Sequence, residues 1–390
     1  MVERSGLGIS VSLIVEIEQT ERAMNPQEIF CPNESCPSRG IVGAGNIVIH
    51  SQKEKRCKCN TCGKTFAVSK GSGFYRVHKK ALFVIVCTLL AFGCPPQAIV
   101  AAFGLDERTV YAWIQRGGGH AEQVHEHLLG EHPLNLEHVQ ADEIRVKCQK
   151  RTIGWMAMAM SVAARLWLGG VVSPTRDKVL IAALVAKVKA CALFGLLLVC
   201  VDGLAAYVGA FKKAFRTPVY TGKPGRPRLL EWPILIGQVV KRKEKGRVVG
   251  VLQRMAQGTF EQARGLVCSE QINTAYIERL NATFRARLSA LVRRGRGLAR
   301  RVDTLHAGMY LLGVVYNLCT FHKSLRHEQP EEGRKWLKRT PAMAAGLTDH
   351  GWSVQELMAY RVPPPPYVPA RRRGRPPKNT HSPAFAGCPA

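Results

Sequence analysis

Apolar and polar residues are grouped in blocks along the chain, and the blocks predict an α/β protein with helices near its start. Residues 76–130 contain apolar runs at helical spacing, which glycines and prolines break at residues 93–96 and 117–119. Residues 134–326 form the largest block, in which strand-like runs are mixed with helix-like runs. This block predicts a mixed sheet flanked by helices.

The large block divides into predicted strands followed by alternating strands and helices. Strands are predicted at 136–146, 155–172 (one or two strands), 196–201 and 247–252. Helices are predicted at 179–192, 203–215, 272–291 and 304–322. Residues 196–201 form an unbroken apolar run, which is typical of a strand buried on both faces.

Composition then narrows the class of protein. The 390 residues include 56 Lys and Arg against 28 Asp and Glu, for a net charge of +28. This surplus of positive charge excludes a neutral metabolic enzyme as the first interpretation. It favours a protein whose binding partner is a polyanion, such as DNA, RNA or an acidic membrane face. The 13 cysteines are an odd number, partly clustered and partly isolated, which favours a reducing compartment over a disulfide framework.

Four cysteines near the start have the spacing of a tetrahedral metal site. Cys31 and Cys36 form one close pair, and Cys59 and Cys62 form a second pair about twenty residues later. The segment between them alternates and carries glycines, as a hairpin would. We predict a zinc ribbon in which bound Zn²⁺ provides the folding energy. Cys57 is an alternative ligand, and four unconnected cysteines are the competing interpretation.

A helix-turn-helix is predicted next, with helices at residues 96–104 and 107–116 and Asp106 as the cap of the second. The residues that would pack between the helices are Ile99, Val110 and Ile114. The residues expected to face DNA are Arg108, Thr109, Tyr111 and Gln115. A helical pair that only packs in the core or at a dimer contact is the alternative. The five histidines at 120–138 lack ligand spacing, and we expect them to be solvated.

Three acidic residues of the large block lie where catalytic acids are expected. Asp142 lies inside the first predicted strand, and Asp202 ends the apolar run 196–201. Glu278 lies on a predicted helix, on the face that also carries Asn281 and Arg285. Such acids could hold two divalent cations ~3.5–4 Å apart, which would activate a water or a 3′-hydroxyl for attack on a phosphodiester. Each acid alone could instead be a paired edge-strand residue, a helix cap or an ion-pair partner. The alternatives to Asp142 and Glu278 are Glu143 and Glu270.

Together, these features resemble the DDE transposases of bacterial insertion sequences, most closely the type named insertion sequence one. The resemblance covers residues 28–358 and rests on the knuckle 59–66, the helix-turn-helix, Gln-Ala-Asp-Glu at 140–143, Asp202, residues 277–285, Tyr316-Asn317, residues 322–326 and residues 340–348. It implies an RNase H-like core whose triad of Asp142, Asp202 and Glu278 binds Mg²⁺ or Mn²⁺ and cuts and joins DNA at the ends of the element. This chain departs from the family in its wider first knuckle, Cys-x4-Cys, and in an insertion around residues 223–228.

Basic segments predict further contacts with DNA. Eight arginines and no acid lie between residues 279 and 301. Those assigned to DNA contact are Arg285, Arg287, Arg293 and Arg294. Arg373 and Arg375 lie in an Arg-Gly-Arg-Pro core typical of an AT-hook, with a looser copy at 223–228. Solvated basic segments without groove preference are the alternative for each.

The sequence thus predicts an α/β protein with an RNase H-like mixed sheet flanked by helices, preceded by a small zinc ribbon and a helical helix-turn-helix domain. The predicted sections are an uncertain N-terminal extension (1–24), the ribbon (25–75), the helix-turn-helix (76–130), the core (134–326), a helical appendage (327–361) and a disordered basic tail (362–390).

The function that we expect is cleavage and transfer of DNA strands at terminal inverted repeats, with double-stranded element ends and target DNA as partners. Because two ends must react, we also expect a homo-oligomer on DNA. A catalytically silent DNA-binding regulator and a nuclease that cuts without joining are the alternatives. No apolar run reaches the ~20 residues of a membrane helix, so we expect no membrane partner and a cytoplasmic, nucleoid-associated protein.

Overall fold

The computed structural model describes residues 25–148, 153–220, 225–245, 247–267, 271–292, 301–329 and 334–369. The chain forms two compact units. In the described ranges, residues 69–362 form the larger unit, and residues 25–68 with 363–369 form the smaller one. The predicted N-terminal extension (1–24) and residues 370–390 of the predicted tail lie outside the described residues.

The smaller unit is built on a three-stranded antiparallel sheet. Its strands are β1 (Ile47–Ser51), β2 (Arg56–Cys59) and β3 (Thr65–Ala67). The hairpin expected between the two cysteine pairs is therefore present. The buried core residues are Ile29, Cys31, Cys36, Ile47, Cys57, Cys59 and Phe66. A core of this size cannot offset the entropy of ordering the chain, so this unit needs a cross-link or a bound ion for stability.

The larger unit begins with three helices. These are α1 (Lys80–Ala91), α2 (Pro96–Phe103) and α3 (Glu107–Glu131). Helix α2 ends at Gly104, whose φ of +59° is in the left-handed region. The side chain of Asp106 accepts a hydrogen bond of 2.7 Å from the N–H of Arg108 in the first turn of α3. Both helices of the predicted pair therefore begin where the sequence signals place them.

The prediction that the second helix ends before the glycines at 117–119 is wrong, because α3 continues through them to Glu131. A side chain at Gly118 would collide with the carbonyl oxygen of Ala307, and a Cβ at Gly117 would lie 2.8 Å from the Cys87 sulfur. These glycines therefore permit close packing of helices and do not form a turn.

The remaining elements follow in chain order. They are β4 (His138–Lys147), β5 (Ile153–Ser161), β6 (Trp167–Ser173), α4 (Lys178–Ala190), β7 (Leu197–Asp202), α5 (Ala205–Ala214), β8 (Arg216–Val219), β9 (Arg228–Glu231), β10 (Ile234–Glu244), β11 (Arg247–Gln257), α6 (Phe260–Arg264), α7 (Ala275–Arg287), α8 (Val302–Cys319), β12 (His322–Gln329), β13 (Arg334–Arg339), α9 (Pro341–Ala344) and α10 (Val354–Ala359).

Six of these strands form one mixed sheet in the order β11-β10-β7-β4-β5-β6. Strands β4, β5 and β6 pair antiparallel, whereas β7 pairs parallel with both β4 and β10. Strand β11 pairs antiparallel with β10 at the edge. The mixed α/β class predicted from the sequence is confirmed. Strand β10 was not predicted; its apolar first half turns into a run of basic residues, which hides the strand pattern.

Helix α8 packs into the core on almost every side. Twelve of its 18 residues are buried, and it packs against α3 and β6. Asn317 is 3% exposed, and both groups of its side-chain amide form hydrogen bonds with the backbone of Trp167, at 2.9 and 2.8 Å.

No helix in the described ranges combines the length and apolar character needed to cross a bilayer.

The segment after α8 differs from the predicted helical appendage at 327–361. It forms an antiparallel hairpin of β12 and β13, followed by the short helices α9 and α10. The predicted helix at 272–291 is also shorter, because α7 ends at Arg287 and a single 3₁₀ turn follows. Charged residues dominate both strands of the hairpin, so no apolar periodicity distinguishes a strand from a helix there.

Candidate functional site

Two parallel strands bring two of the predicted catalytic acids together. In the pairing of β4 with β7, Ala141 lies opposite Val201, so the next residues, Asp142 and Asp202, are neighbours across the strands. Neighbouring strands lie ~4.8 Å apart, and side chains at the same register position point to the same face. Since Asp202 is the last residue of β7, the two carboxylates meet at the carboxyl end of that strand.

A third carboxylate, Glu143, joins Asp142 and Asp202 in what we call the acidic cluster. One carboxylate oxygen from each residue lies within 4.8 Å of the others, which is close enough for one cation to contact all three. Glu143 is 8% exposed, and its Oε1 has no hydrogen-bond partner. The sequence offers Glu143 as an alternative to Asp142, but the structure places both in the cluster.

Burial and like charge both act on Asp142. Burial, followed by the charges of Asp202 and Glu278, raises the pKa of Asp142 to about 6, although Arg285 opposes the increase. The carboxylate oxygen Oδ2 accepts a hydrogen bond of 2.8 Å from the side-chain amide of Asn281 on α7. The ionised cluster therefore repels itself and would be stabilised by a bound cation.

A single arginine offsets part of this negative charge. Arg176 lies in the turn between β6 and α4, with Nη2 3.0 Å from Glu143 Oε2 and 2.9 Å from Asp202 Oδ2. Its guanidinium also lies over the ring of Trp155, at 5.1 Å from the centroid. Burial and the charge of Asp202 nevertheless raise the pKa of Glu143. Sequence analysis missed Arg176, which is one loop arginine among many and has no local signal.

Glu278, the third predicted catalytic acid, lies next to the acidic cluster but is not among the oxygens that come within 4.8 Å of one another. It forms an ion pair with Lys241 on β10 and accepts a hydrogen bond of 2.7 Å from the Thr274 hydroxyl. Burial acts to raise the pKa of Glu278, but these two hydrogen bonds outweigh it and lower the pKa. Asn281, one helical turn further along α7, contacts Asp142. The alternative acid, Glu270, lies outside the described residues.

A buried glutamine ties α7 to β4. Gln140 is 0% exposed and lies two residues before Asp142, so both share one face of the strand. Its Oε1 accepts hydrogen bonds of 3.0 Å from the backbone N–H groups of Tyr276 and Ile277, and its Nε2 donates to the carbonyl of Asn273 at 2.8 Å. These bonds satisfy the first turn of the helix that carries Glu278. Sequence analysis did not identify this role of Gln140, although a polar residue within a predicted buried strand was a signal that could have done so.

A second buried glutamine fixes the neighbouring strand. Gln238 on β10 is 2% exposed and donates a hydrogen bond of 3.2 Å to the carbonyl oxygen of Asp202. Its Oε1 accepts a bond of 2.9 Å from Nε of Arg254 on β11. The side chains of Gln238 and Arg254 thus join strands β7, β10 and β11 at Asp202. Since β10 was not predicted, neither was Gln238.

The four predicted cysteine ligands converge in the smaller unit. Sulfur atoms of Cys31, Cys36, Cys59 and Cys62 lie within 4.8 Å of one another. The Cys31–Cys62 and Cys36–Cys59 sulfurs are 3.7 and 3.8 Å apart. Cys57 is buried in the same core, but it is not part of this cluster. The wider first knuckle therefore still places both of its cysteines with the second pair.

Local backbone groups favour ionised sulfur in this cluster. Burial acts against ionisation of Cys62, but the N–H of Lys64 and neighbouring side chains outweigh it and lower its pKa to about 7. The side-chain amide of Asn46 donates a hydrogen bond of 3.2 Å to the Cys59 sulfur. Burial raises the pKa of Cys31 and Cys36. A cation bound between the sulfurs would reverse that effect, because metal ligation requires thiolates.

The helix-turn-helix residues keep most of the predicted arrangement. Ile99, Val110 and Ile114 are buried, as expected for the packing side. Arg108 is exposed, and Thr109 and Tyr111 are half-buried. Gln115 is exposed, but its amide donates a hydrogen bond of 3.2 Å to the Thr304 hydroxyl, so this predicted DNA contact has a partner within the protein.

The expectation that the histidines are solvated is wrong for three of them. His120 and His125 are each 6% exposed on α3, and His138 is 2% exposed on β4. Burial lowers the pKa of each to about 4, so all three are neutral near pH 7. His120 and His125 are buried because α3 continues through the glycines into the core, and His138 is buried because it begins β4 inside the sheet.

The predicted basic contacts divide by position. Arg285 lies near the acidic cluster, where its charge acts on Asp142 and Glu278. Arg287 lies at the end of α7 with its guanidinium over the ring of Phe92, at 4.7 Å. Four predicted contacts lie outside the described residues: Arg293, Arg294, Arg373 and Arg375. The looser AT-hook copy is described only from Gly225, between β8 and β9.

Comparisons with known proteins give no independent assignment, since no protein family and no curated protein matches this chain. The acidic cluster, the cysteine cluster and the net charge of +28 are therefore the basis for inferring function.

Proposed function

We propose that this protein is a DDE-type DNA transposase that binds the terminal inverted repeats of an insertion sequence and performs metal-dependent strand cleavage and strand transfer. The observation that carries the proposal is the meeting of Asp142 and Asp202 on adjacent parallel strands, beside a helix that bears Glu278. Acids at strand ends of an α/β sheet, next to a third acid on a packed helix, suit metal-dependent phosphoryl transfer.

The sheet supports an RNase H-like core. Three antiparallel strands are followed by two strands parallel to the first, and helices pack against the sheet. The proposed catalytic acids come from β4, β7 and α7. Gln140 holds α7 against β4, and thus keeps Glu278 close to the strand acids.

The donor set of the acidic cluster fits Mg²⁺ or Mn²⁺. Every candidate ligand is a carboxylate oxygen, which is the ligand that hard divalent cations prefer. When bound, such cations activate a water or 3′-hydroxyl and stabilise the leaving oxygen of a phosphodiester. Asp142, Asp202 and Glu278 would hold them, with Glu143 as a further ligand. Asn281 orients the Asp142 carboxylate, and Arg176 and Lys241 offset the charge of the acids.

The cysteine cluster fits structural Zn²⁺. With Zn–S bonds of ~2.3 Å, a tetrahedron of sulfurs has edges of about 3.8 Å. The Cys31–Cys62 and Cys36–Cys59 sulfur–sulfur distances of 3.7 and 3.8 Å match that value. All four ligands are thiols in a unit with a very small core, which is typical of a closed structural site.

Double-stranded DNA is the proposed partner. The net charge of +28, the exposed start of α3 and the arginines of α7 would all favour a polyanion. The proposed ligands are element ends and target DNA, and two ends acting together imply a homo-oligomer on DNA. The proposed location is the cytoplasm, in association with the nucleoid.

The test uses labelled duplexes taken from the genomic DNA on either side of the gene. The wild-type protein should cut and join these duplexes only when Mg²⁺ or Mn²⁺ is added. Asp202→Asn should lower both reactions by roughly a thousandfold or more while leaving end binding nearly intact. Asp303→Asn, the same change at an exposed residue on α8, is the matched control and should cut normally. Wild-type cleavage by Asp202→Asn would refute the assignment of this acid.

One observation favours a second candidate, a DNA-binding regulator without catalysis. Arg176 and Lys241 already pair with Asp202, Glu143 and Glu278, so the acids have partners without a metal. For this candidate, the same assay would show binding of the flanking duplexes with no cleavage at any Mg²⁺ or Mn²⁺ concentration. Cleavage without joining would instead indicate a nuclease.

A further inference from the structure

The charges of three arginines act on one tyrosine and one histidine, and two of these arginines lie on the side of α7 away from Glu278. We call this group the arginine pocket; its members are Arg165, Arg279, Arg287, Tyr316 and His322. At 100° per residue, Arg279 and Arg287 point away from the direction shared by Glu278, Asn281 and Arg285. These residues come from four parts of the fold, namely the turn between β5 and β6, α7, α8 and β12, and their contacts decide what the pocket can bind.

Aromatic rings hold the pocket in place. The Arg165 guanidinium lies 3.8 Å from the ring centroid of Tyr276, and the Arg287 guanidinium lies 4.7 Å from that of Phe92. The Tyr316 hydroxyl donates a hydrogen bond of 3.1 Å to the carbonyl oxygen of Arg165, and its ring contacts His322 edge to face at 4.7 Å. Stacking fixes a guanidinium and leaves its edge available to a ligand, although one N–H of Arg165 already donates to the carbonyl oxygen of Val162.

The pocket is positive and lacks acidic partners. Among the ion pairs of the described residues, none joins a carboxylate to Arg165, Arg279 or Arg287. Burial, followed by the charges of these arginines, lowers the pKa of His322. Two buried nitrogens, Nη1 of Arg287 and Nε2 of His322, have no hydrogen-bond partner. Buried polar atoms without a partner are rare, and the N–H of Arg287 calls for an acceptor.

We propose that the arginine pocket binds a phosphate group of the DNA backbone, at a position separate from the acidic cluster. A tetrahedral oxyanion offers several acceptor oxygens to a fork of guanidinium N–H groups, and it would accept from the unpaired nitrogens. The choice of DNA as the source of the phosphate rests on the proposed function. The pocket itself requires no catalysis and would serve a DNA-binding regulator equally well.

The first test measures binding of a generic duplex DNA as a function of salt. Arg279→Gln combined with Arg287→Gln should reduce affinity at 0.1 M salt roughly five- to tenfold and lower the slope of log K against log salt by ~0.9, the value for one phosphate. The matched control is Arg145→Gln combined with Arg264→Gln, which changes two exposed arginines outside the pocket and should lower the slope less. Equal effects of the two double variants would overturn the proposal.

A second readout does not depend on mutation of the arginines. Binding of phosphate should raise the pKa of His322, measured by NMR, because the anion offsets the three arginine charges. His350, which pairs with Asp349 and Glu356, is the internal control and should not change. If the double variant folds poorly, Arg287→Lys is the substitute variant. It keeps the charge but loses the guanidinium fork, so it should weaken the response of His322 to phosphate.

The ligands in that measurement are inorganic phosphate and duplex DNA, tested separately. An increase in the pKa of His322 with both supports a backbone-phosphate site. An increase with inorganic phosphate alone would overturn DNA as its source, and no change with either would overturn the site. If wild-type protein binds no DNA at all, the proposed function fails; if it binds DNA without any response at His322, only the pocket fails.

Discussion

The cysteine cluster and the acidic cluster assemble like charges in opposite ways. The cysteine ligands come from two short knuckles within residues 31–62, and nearby backbone N–H groups face the sulfurs. The acids come from β4 and β7, and only the pairing of those strands brings them together. Arg176 and Lys241 offset the charge of the acids, whereas the Asn46 amide and the N–H of Lys64 are the groups that favour charge on the Cys59 and Cys62 sulfurs. We therefore expect the cysteine cluster to need a bound metal ion in order to fold, whereas the acidic cluster, inside a large core, can form without one.

The largest expected effect is loss of the smaller unit when a cysteine ligand is removed. Cys59→Ser should abolish binding of one Zn²⁺ per chain and unfold this unit, because the ion would supply about 10 kcal/mol of its folding free energy. Zinc content and NMR spectra of the full chain would measure both changes.

Cys57→Ser is the matched control for that experiment, since Cys57 is buried in the same core outside the cluster. It should retain one equivalent of zinc. If Cys57→Ser loses zinc and Cys59→Ser keeps it, the alternative ligand assignment is correct and the present one is wrong.

The next largest effect should come from separating α7 from β4. Gln140→Ala removes the acceptor for two buried N–H groups and should lower the free energy of unfolding by about 4 kcal/mol, at 1–3 kcal/mol for each group. Denaturant unfolding gives this value. Gln97→Ala, at an exposed residue that bonds Glu107, is the control and should cost less than ~0.5 kcal/mol. A small loss for Gln140→Ala would show that α7 is held mainly by its apolar residues.

The acidic cluster should make stability depend on pH in a defined direction. The pKa of Asp142 is raised in the folded state to about 6, above its ordinary value of 3.8, so the folded protein binds the proton more tightly. Stability from this group is therefore present below pH 4 and is lost as pH rises through 6, by on the order of 3 kcal/mol. Asp142→Asn should remove this part of the pH dependence, measured by urea unfolding from pH 4 to pH 7.

Added Mg²⁺ sharpens that test because a bound cation stabilises the ionised carboxylate. In wild-type protein it should restore stability near pH 7, whereas in Asp142→Asn it should have much less effect. Equal stabilisation of both proteins by Mg²⁺ would place the cation elsewhere.

The smallest effect concerns the built-in counter-charge. Arg176→Gln leaves Glu143 and Asp202 without a cation and should lower stability by roughly 1–2 kcal/mol without metal, since Arg176 is about one-third exposed. Because the guanidinium no longer competes, Mg²⁺ should restore the loss and bind more tightly. Calorimetry and thermal unfolding would measure these changes. Arg216→Gln, which breaks an exposed ion pair with Glu231, is the control. It should change neither the stability without metal nor the affinity for Mg²⁺.

Secondary structure was predictable where local signals dominated. The apolar run at 196–201 became β7, and Gly104 with Asp106 placed the break between α2 and α3. Local signals failed where a neighbour decided the outcome. The glycines at 117–119 look like a helix end by themselves, but they lie inside α3, where Gly117 packs against Cys87 of α1 and Gly118 against Ala307 of α8. In the hairpin after α8, pairing between charged strands overrode the expected helix.

The sequence alone determined the residue types of the cysteine and acidic clusters, the mixed α/β class and the basic character of the chain, because composition and short-range spacing encode these properties. Only the tertiary structure decided that Glu143 joins Asp142 and Asp202, that Glu278 pairs with Lys241, and that Gln140 anchors α7. It also assembled the arginine pocket from separate segments. The physical reason is that strand register and helix packing set distances between residues far apart in the chain, and electrostatic interactions depend on those distances.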